Sequence, residues 1–309
     1  MAQQYRLVTR SDFDGLVCAV LLRKLDLIDD IKFVHPKDMQ DGDVDITDRD
    51  ITTNLPYVAA AHMVFDHHHS EMIRNEGNPE NHVIDPDAPS AARVVWQYYG
   101  GHEVFPEAWD EMMEAVDKGD SAQYGLQEVL APRGWELLNF LMDARTGLGR
   151  FREFRISNYQ LMMDLIDYCK DSTIEDILAL PDVKERVDFY AVQHELFKDQ
   201  IIRCAQLLDN LVVLDLRDEE IIHAGNRFII YALFPACNIS IHVMWGLNRE
   251  KTVFATGKSI FHRDSNTNIG ELMLKYGGGG HEAAGTCQVE NDQAAETLAA
   301  LIQKINADG

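Results

Sequence analysis

The sequence predicts an α/β fold, in which a parallel-sheet domain with a helical segment is joined by a linker helix to a smaller α+β domain. Short β-rich runs alternate with helical or loop segments at the start of the chain, a pattern typical of parallel sheets. Residues 90–208 read as mainly helical, and strand-like runs return from residue 210. Because 309 residues are enough for two cores, we expect domains at 1–183 and 210–309, with the linker helix at 184–209.

The first domain is predicted from apolar runs that each end in polar residues. The runs are Tyr5–Thr9, Ile31–Val34, Val44–Ile46 and Met63–Phe65. The polar residues that follow them are, in turn, Asp12 with Asp14, His35, Asp48, and Asp66–His69. Ligands of open α/β sheets bind beyond the carboxyl ends of the strands, so we expect these polar residues to converge in space.

The rest of the chain is predicted from helical spacing and then from further strand-like runs. Lys184–Leu208 fits one amphipathic helix, because its apolar residues recur at helical intervals. The strands expected after it are Leu211–Leu216, Phe228–Leu233, Ile239–Met244 and Thr252–Thr256. A final helix is expected at Ala294–Ile305, after a run of glycines. The most apolar stretch, residues 228–245, contains Pro235 and polar residues, and is interpreted as two core strands and not as a membrane span.

Charge and cysteine usage limit the classes of function. Asp and Glu number 51 against 28 Lys and Arg, which gives a formal net charge of -23. Such a chain repels long nucleic acid, so an anionic substrate should be small and should be held by local groups such as metal ions. The alternative is that the charge serves only to keep the protein soluble. The five scattered cysteines and the absence of a visible signal peptide predict a cytoplasmic protein. The sequence predicts no membrane partner, and it leaves open whether the protein forms a homodimer.

Two motifs offer ligands of the kind that divalent metals bind. Asp12-x-Asp14-Gly15 places two carboxylates at a strand-to-helix turn, where the glycine permits a tight turn; a simple helix cap is the alternative. Asp66-His67-His68-His69 combines imidazole with carboxylate, which suits Mn, Zn or Fe; a surface histidine cluster is the alternative. Carboxylates from Asp48 and Asp117 would add to these motifs.

These motifs resemble those of the DHH phosphoesterases that carry a DHHA1 domain. The resemblance runs through Asp12-x-Asp14, Asp48, Asp66-His67-His68 and Asp117, and the later Gly278-Gly279-Gly280-His281 run matches the DHHA1 signature. The motifs occur in the right order and cover nearly the whole chain. The family includes exopolyphosphatases, inorganic pyrophosphatases, RecJ exonucleases and enzymes that degrade cyclic or short linear oligonucleotides.

The resemblance implies a site for two metal ions, usually manganese, with magnesium as the other option. By its pattern, Asp12 would bind one ion, and Asp14, His67 and Asp117 would bind the other. Asp48 would bridge the two ions. A hydroxide held between the ions would attack phosphorus in line, and the ions would neutralise the charge that develops on the phosphoryl oxygens.

The resemblance also assigns catalytic and substrate-binding residues. His68 would contact the substrate phosphate, and Asp66 would orient the pair of histidines. Asp143–Gly147 could also reach the cleft, although helix termination is the preferred interpretation of that segment. The residues expected to bind substrate from the second domain are Lys258, Arg263, Gly278, Gly279, Gly280 and His281, with solvent-exposed charge as the alternative for the two basic residues.

Arg10 departs from the family pattern, which normally places His or Asp shortly before the first Asp of the opening motif. Arginine has no free lone pair, so it cannot bind a metal ion. Three outcomes are open: His35 or His69 replaces the missing ligand, one ion binds tightly and one weakly, or Arg10 binds the phosphate directly. The choice of Asp48 over Asp45 as the bridging ligand is also open, and rests on its expected position at a strand end.

Three functions compete. The first is hydrolysis of short linear dinucleotides, such as the pGpG or pApA left by cyclic dinucleotide turnover, to mononucleotides by a metal-bound hydroxide. The acidic surface and the glycine motif favour this function. The second is an exopolyphosphatase or related phosphoanhydride hydrolase, which should line its channel with more basic residues than this chain offers. The third, motivated by Arg10, is a non-catalytic nucleotide-binding protein. We expect the first.

Overall fold

The computed structural model describes residues 3–74, 77 and 79–309 of the chain. Its strands are β1 Tyr5–Arg10, β2 Ile28–Val34, β3 Asp50–Thr53, β4 Met63–Asp66, β5 His82–Ile84, β6 Ala205–Leu208, β7 Leu211–Asp215, β8 Ile239–Trp245, β9 Lys251–Lys258, β10 Gly279–His281 and β11 Ala284–Glu290. Its helices are α1 Phe13–Lys24, α2 Pro36–Asp41, α3 His69–Arg74, α4 Ala91–Tyr98, α5 Asp110–Asp120, α6 Leu126–Leu130, α7 Gly134–Met142, α8 Asn158–Asp171, α9 Ile174–Ala179, α10 Pro181–Cys204, α11 Ile229–Leu233, α12 Ile269–Leu274 and α13 Ala294–Asp308.

The chain divides into two compact units. The first unit comprises Met1–Tyr124 and Pro132–Phe189, and the second comprises Gly125–Ala131 and Tyr190–Gly309. The predicted linker helix corresponds to α10, which begins at a proline, a residue suited to the first turn of a helix. This helix ends earlier than predicted, because residues 205–208 pair antiparallel with β7 as a strand.

The sheet of the first unit is parallel, as the sequence predicts. Its strand order is β2-β1-β3-β4-β5, and each neighbouring pair runs parallel. In this order the chain leaves β1 for β2 on one side and then crosses to β3 on the other. The carboxyl ends of β1 and β3 therefore form a topological switch point, which is where open α/β sheets bind ligands.

The prediction of a strand at Val44–Ile46 in this sheet is wrong. Val44 and Ile46 lie in a loop, where they pack against a small apolar cluster that includes Val8 and Leu55. The third strand begins at Asp50, whose carboxylate accepts a hydrogen bond from the Thr47 amide at 2.7 Å and closes the turn before it. Asp48 therefore lies on an exposed turn at the amino end of β3, away from the edge where ligands bind.

The second unit has a mixed sheet in the order β10-β11-β9-β8-β7-β6. Helices α12 and α13 contribute Met273 and Leu301 to a buried core with strand residues such as Ile241 and Phe254. This α+β unit agrees with the sequence, except that the strand predicted at 228–233 is the short helix α11. An apolar run of that length fits either structure, and the Tyr231 hydroxyl anchors the helix by donating to the Gly257 carbonyl at 2.8 Å. None of the helices in the described residues combines the length and apolar character needed to cross a bilayer.

The fold makes one prediction about acid stability. His242 on β8 has its pKa lowered to about 4 by burial, below the ordinary value near 6.5. The unfolded chain therefore takes up a proton before the folded chain does, so this group should weaken the fold as pH falls from about 6.5 to about 4. Between pH 7.5 and pH 5, the free energy of unfolding, measured with urea, should fall less for His242→Gln than for the wild type. Exposed His262→Gln should behave like the wild type, and equal losses for all three proteins would contradict the prediction.

Candidate metal centre

The carboxyl edge of the first sheet aligns the ends of its three central strands. The register pairs Thr53, the last residue of β3, with Thr9 of β1 and Phe65 of β4. The residues that follow these three, Arg10, Asn54 and Asp66, therefore lie at this edge. Asn54 is only 1% exposed and has a φ of 55°, so the chain turns sharply as β3 ends. Polar residues from β1, β3 and β4 thus meet at the switch point.

Asp12 and Asp14 lie at the turn from β1 to α1. Asp12 is the N-cap of the helix, and its Oδ1 accepts the Gly15 amide at 3.0 Å. The oxygens of Asp14 accept the first two amides of α4 at 3.2 and 2.7 Å. A Cβ atom at Gly15 would lie 2.0 Å from the carbonyl oxygen of Arg10, so only glycine allows the helix to start this close to the strand. These contacts hold both carboxylates in place.

Asp66 organises the histidines that follow β4. Its Oδ1 accepts the His67 amide at 2.9 Å and lies 2.7 Å from Nδ1 of His68. Nδ1 of His67 lies 3.2 Å from the carbonyl oxygen of Ala88, and a proton placed there leaves Nε2 with a free lone pair. Asp66 is fully buried and contacts both histidines.

Asp14, His67 and Asp120 form a group of potential metal ligands. One ligand atom from each residue lies within 4.8 Å of the other two, and Nε2 of His67 is 2.8 Å from Oδ2 of Asp120. No other group of three such residues meets this distance among the residues described. Two carboxylates and one imidazole are donors that suit Mn, Zn or Fe.

The electrostatics of this group favour a bound cation. Burial and the nearby Asp120 raise the pKa of Asp14 well above its usual range. Burial also raises the pKa of Asp12, although Arg10 opposes this effect. Burial would lower the pKa of His67, but the hydrogen bond and charge of Asp120 outweigh it and raise that pKa to about 9. A divalent ion among these side chains would offset the repulsion between the carboxylates and the cost of burying them.

The structure contradicts the prediction that Asp117 is a metal ligand. Its Oδ1 accepts a hydrogen bond from the Ser90 hydroxyl at 2.7 Å, and its Oδ2 accepts one from Nε of Arg93 at 2.8 Å. Asp120, one turn later on α5, reaches the group instead. The sequence offers Asp117 and Asp120 three residues apart, and the contacts of Asp117 with Ser90 and Arg93 distinguish their roles.

The structure also contradicts the prediction that Asp48 bridges two ions. Asp48 and the alternative Asp45 are exposed on the loop before β3. His35 does not replace the missing ligand, because it caps α2, with its Nδ1 accepting the Lys37 amide at 3.1 Å. His69 is exposed at the first position of α3. The residue that stands at the expected place, the carboxyl end of β3, is Asn54.

Two arginines border the group. Nε of Arg10 lies 2.9 Å from Oδ2 of Asp12. Arg145 lines the same small pocket as Asp12, Asp14 and Asp120, and its Nε donates to Oδ1 of Asp143 at 2.7 Å. The preferred interpretation of residues 143–147 as a helix end therefore misses a basic group at the site.

Part of the predicted substrate-binding set of the second unit lies at the exposed edge of its sheet. Gly279, Gly280 and His281 form the edge strand β10, paired with β11. Gly278 precedes them, where a Cβ atom would lie 2.1 Å from a carbonyl oxygen of β11. The last two glycines of the run are therefore in a strand and not in a free loop.

The two basic residues predicted to accompany this run differ in their surroundings. Nζ of Lys258 lies 3.3 Å from Oε1 of Glu282, and the lysine side chain is only 8% exposed. Arg263 is exposed, and its Nε donates to the Ile260 carbonyl at 3.3 Å. Lys258 adjoins the strand pair because its amide donates to the carbonyl oxygen of Ala283, just before β11.

Comparisons with known proteins add to this geometry. No family model matches the chain, and no curated protein matches it. A solved structure of the pGpG-specific phosphodiesterase PggH from Vibrio cholerae is 67% identical over 99% of this chain and 100% of its own, with a TM-score of 0.89. An exopolyphosphatase-related protein from Bacteroides fragilis is 12% identical over 98% of this chain and 92% of its own, with a TM-score of 0.54. RecJ from Thermus thermophilus in complex with Mn2+ is 14% identical over 99% of this chain and 52% of its own, with a TM-score of 0.55. The last two likenesses support the fold alone.

Proposed function

Because this chain belongs to the DHH phosphoesterases with a DHHA1 domain, as its motifs predict, we propose that it hydrolyses pGpG to two molecules of GMP with the help of a divalent metal ion. The observation that carries the substrate is the full-length likeness, at 67% identity, to a protein described as a pGpG-specific phosphodiesterase. The acidic character of the chain fits a short substrate better than a long polymer.

The ligand group supports the metal dependence. Asp14, His67 and Asp120 would bind the ion, with manganese preferred for a mixed oxygen and nitrogen donor set. When bound, the ion would supply a Lewis acid for a phosphoryl oxygen and an activated water as nucleophile. The five cysteines are all free, which fits the cytoplasmic location that we also propose.

The side chains around this group would position the phosphodiester and stabilise its charge. Asp66 holds His68 through Nδ1, which leaves Nε2 of His68 to hydrogen-bond a phosphate oxygen. Arg10 and Arg145 would neutralise charge that develops on the non-bridging oxygens. In the second unit, the proposed phosphate-binding groups are Lys258, Arg263, His281 and the backbone of Gly278, Gly279 and Gly280.

A hydrolysis panel tests the proposed function. The purified chain with Mn2+ should release GMP from pGpG, with a kcat/KM at least about 10-fold above that for pApA. It should act much more slowly on longer oligonucleotides and cyclic dinucleotides, and should release no orthophosphate from polyphosphate. EDTA should stop the reaction. Asp48→Asn, which alters an exposed loop, should keep wild-type activity. Release of orthophosphate from polyphosphate alone, or nucleotide binding without turnover, would overturn the proposal.

A further inference from the structure

We propose that this centre binds one divalent ion tightly, and that Arg10 and Arg145 supply the positive charge that a second ion would otherwise provide. The two-ion arrangement is what the family resemblance implies, and this chain departs from it in its own residues. The inference rests on the proposed hydrolysis of a phosphodiester, because the role of the arginines is to hold an anionic substrate. The ion count itself can be tested without any substrate.

The first reason is that the carboxylate expected at a second ion already lies against an arginine. Asp12 uses Oδ1 to accept the Gly15 amide, and its Oδ2 faces the guanidinium group of Arg10 at 2.9 Å. A second cation at this oxygen would have to displace or repel a permanently charged arginine. Among the described residues, Asp14, His67 and Asp120 form no ion pair with an arginine, and their ligand atoms lie within 4.8 Å of one another.

The second reason is the residue at the bridging position. Asn54 follows the last residue of β3, Thr53, at the carboxyl edge of the sheet, where the family resemblance predicts a bridging carboxylate. Asn54 is 1% exposed, and neither its Oδ1 nor its Nδ2 has a hydrogen-bond partner among the described residues. A neutral amide offers one metal-binding oxygen and no charge. It can therefore complete the shell of a single ion or contact substrate, but it cannot neutralise two ions.

The third reason is the charge of the pocket. Arg145 lines the pocket together with Asp12, Asp14, Asp120 and Asp143, and Arg10 lies against Asp12. These two guanidinium groups already offset part of the carboxylate charge, so less negative charge is left for divalent ions to balance.

This arrangement has a functional consequence. A guanidinium group donates paired hydrogen bonds to phosphate and keeps its charge at any metal concentration. The substrate would therefore be held by two permanently charged side chains together with one divalent ion. Activity should follow the occupancy of a single metal site, with no second, weaker phase of activation at higher Mn2+.

Metal stoichiometry tests the inference. Chelator-treated protein, loaded with Mn2+ and passed through a desalting column, should retain one ion per chain by elemental analysis, and calorimetry should show one binding site. Asp14→Ala should retain none, and Asp48→Asn should retain one. Arg10→Gln and Arg145→Gln should also retain one ion, while their kcat/KM falls by about 100-fold. Thermal unfolding of each variant checks that the fold persists, and the 39% exposed side chain of Arg145 makes its substitution the safer test.

Clear results would overturn the inference. Two tightly held ions per wild-type chain would reject the single-ion centre. Folded arginine variants with unchanged kcat/KM would reject the role assigned to the guanidinium groups. One ion per chain in a protein that does not hydrolyse pGpG would leave the metal count standing and would reject only the proposed function.

Discussion

Asp120→Asn should remove metal binding and reduce the kcat/KM for pGpG by about 10²–10³-fold or more, whereas Asp117→Asn should spare both properties. Asp120 lies 2.8 Å from Nε2 of His67 and completes the ligand group with Asp14. An amide at this position removes the negative charge that holds the cation. Asp117 instead accepts hydrogen bonds from Ser90 and Arg93.

The two variants are matched, because the same substitution is made one turn apart on the same helix. Asp117→Asn should lower the free energy of unfolding by about 1–3 kcal/mol through its lost ion pair, with little change in Mn2+ affinity. Calorimetry with Mn2+, urea unfolding and the pGpG assay separate these effects. If Asp117→Asn lost the metal and Asp120→Asn kept it, the ligand group drawn from the structure would be wrong.

The choice between these two aspartates is a part of the site that the sequence alone does not predict. Asp12, Asp14 and the Asp66-His67-His68 run follow strands whose apolar runs are unambiguous, so the parallel-sheet rule places them at one edge. Asp117 and Asp120 lie on the same helix, and the helical periodicity of the sequence does not predict which of them faces the carboxyl edge of the sheet. That choice depends on Arg93, a residue 24 positions earlier that binds Asp117.

The other misplaced residues have equally physical causes. Val44–Ile46 has the composition of a strand but packs as a loop, so Asp48 falls at the wrong end of β3. The true end of that strand carries Asn54, an uncharged residue that a search for acidic ligands passes over. Arg145 lies in a short turn after α7, where its approach to Asp12 depends on tertiary packing.

Gly15→Ala should destabilise the fold by about 3 kcal/mol or more and weaken Mn2+ binding by at least about 10-fold. An alanine Cβ would lie 2.0 Å from the carbonyl oxygen of Arg10 and 2.7 Å from Oγ1 of Thr9. The nearer contact is with the backbone of a buried central strand, which cannot rotate away as a side chain could. The start of α1 must therefore move, and Asp12 and Asp14 move with it.

A second glycine in the same unit provides the control for this prediction. At Gly149 the nearest atom to an added Cβ would be Nδ2 of Asn158 at 3.8 Å, an ordinary contact. Gly149→Ala should therefore change the free energy of unfolding by no more than about 0.5 kcal/mol and leave the metal site intact. Urea unfolding and Mn2+ calorimetry of both variants measure the difference. If Gly15→Ala matched Gly149→Ala in both measurements, the close approach of helix to strand would not be what positions the two aspartates, and the geometry of the centre would need another source.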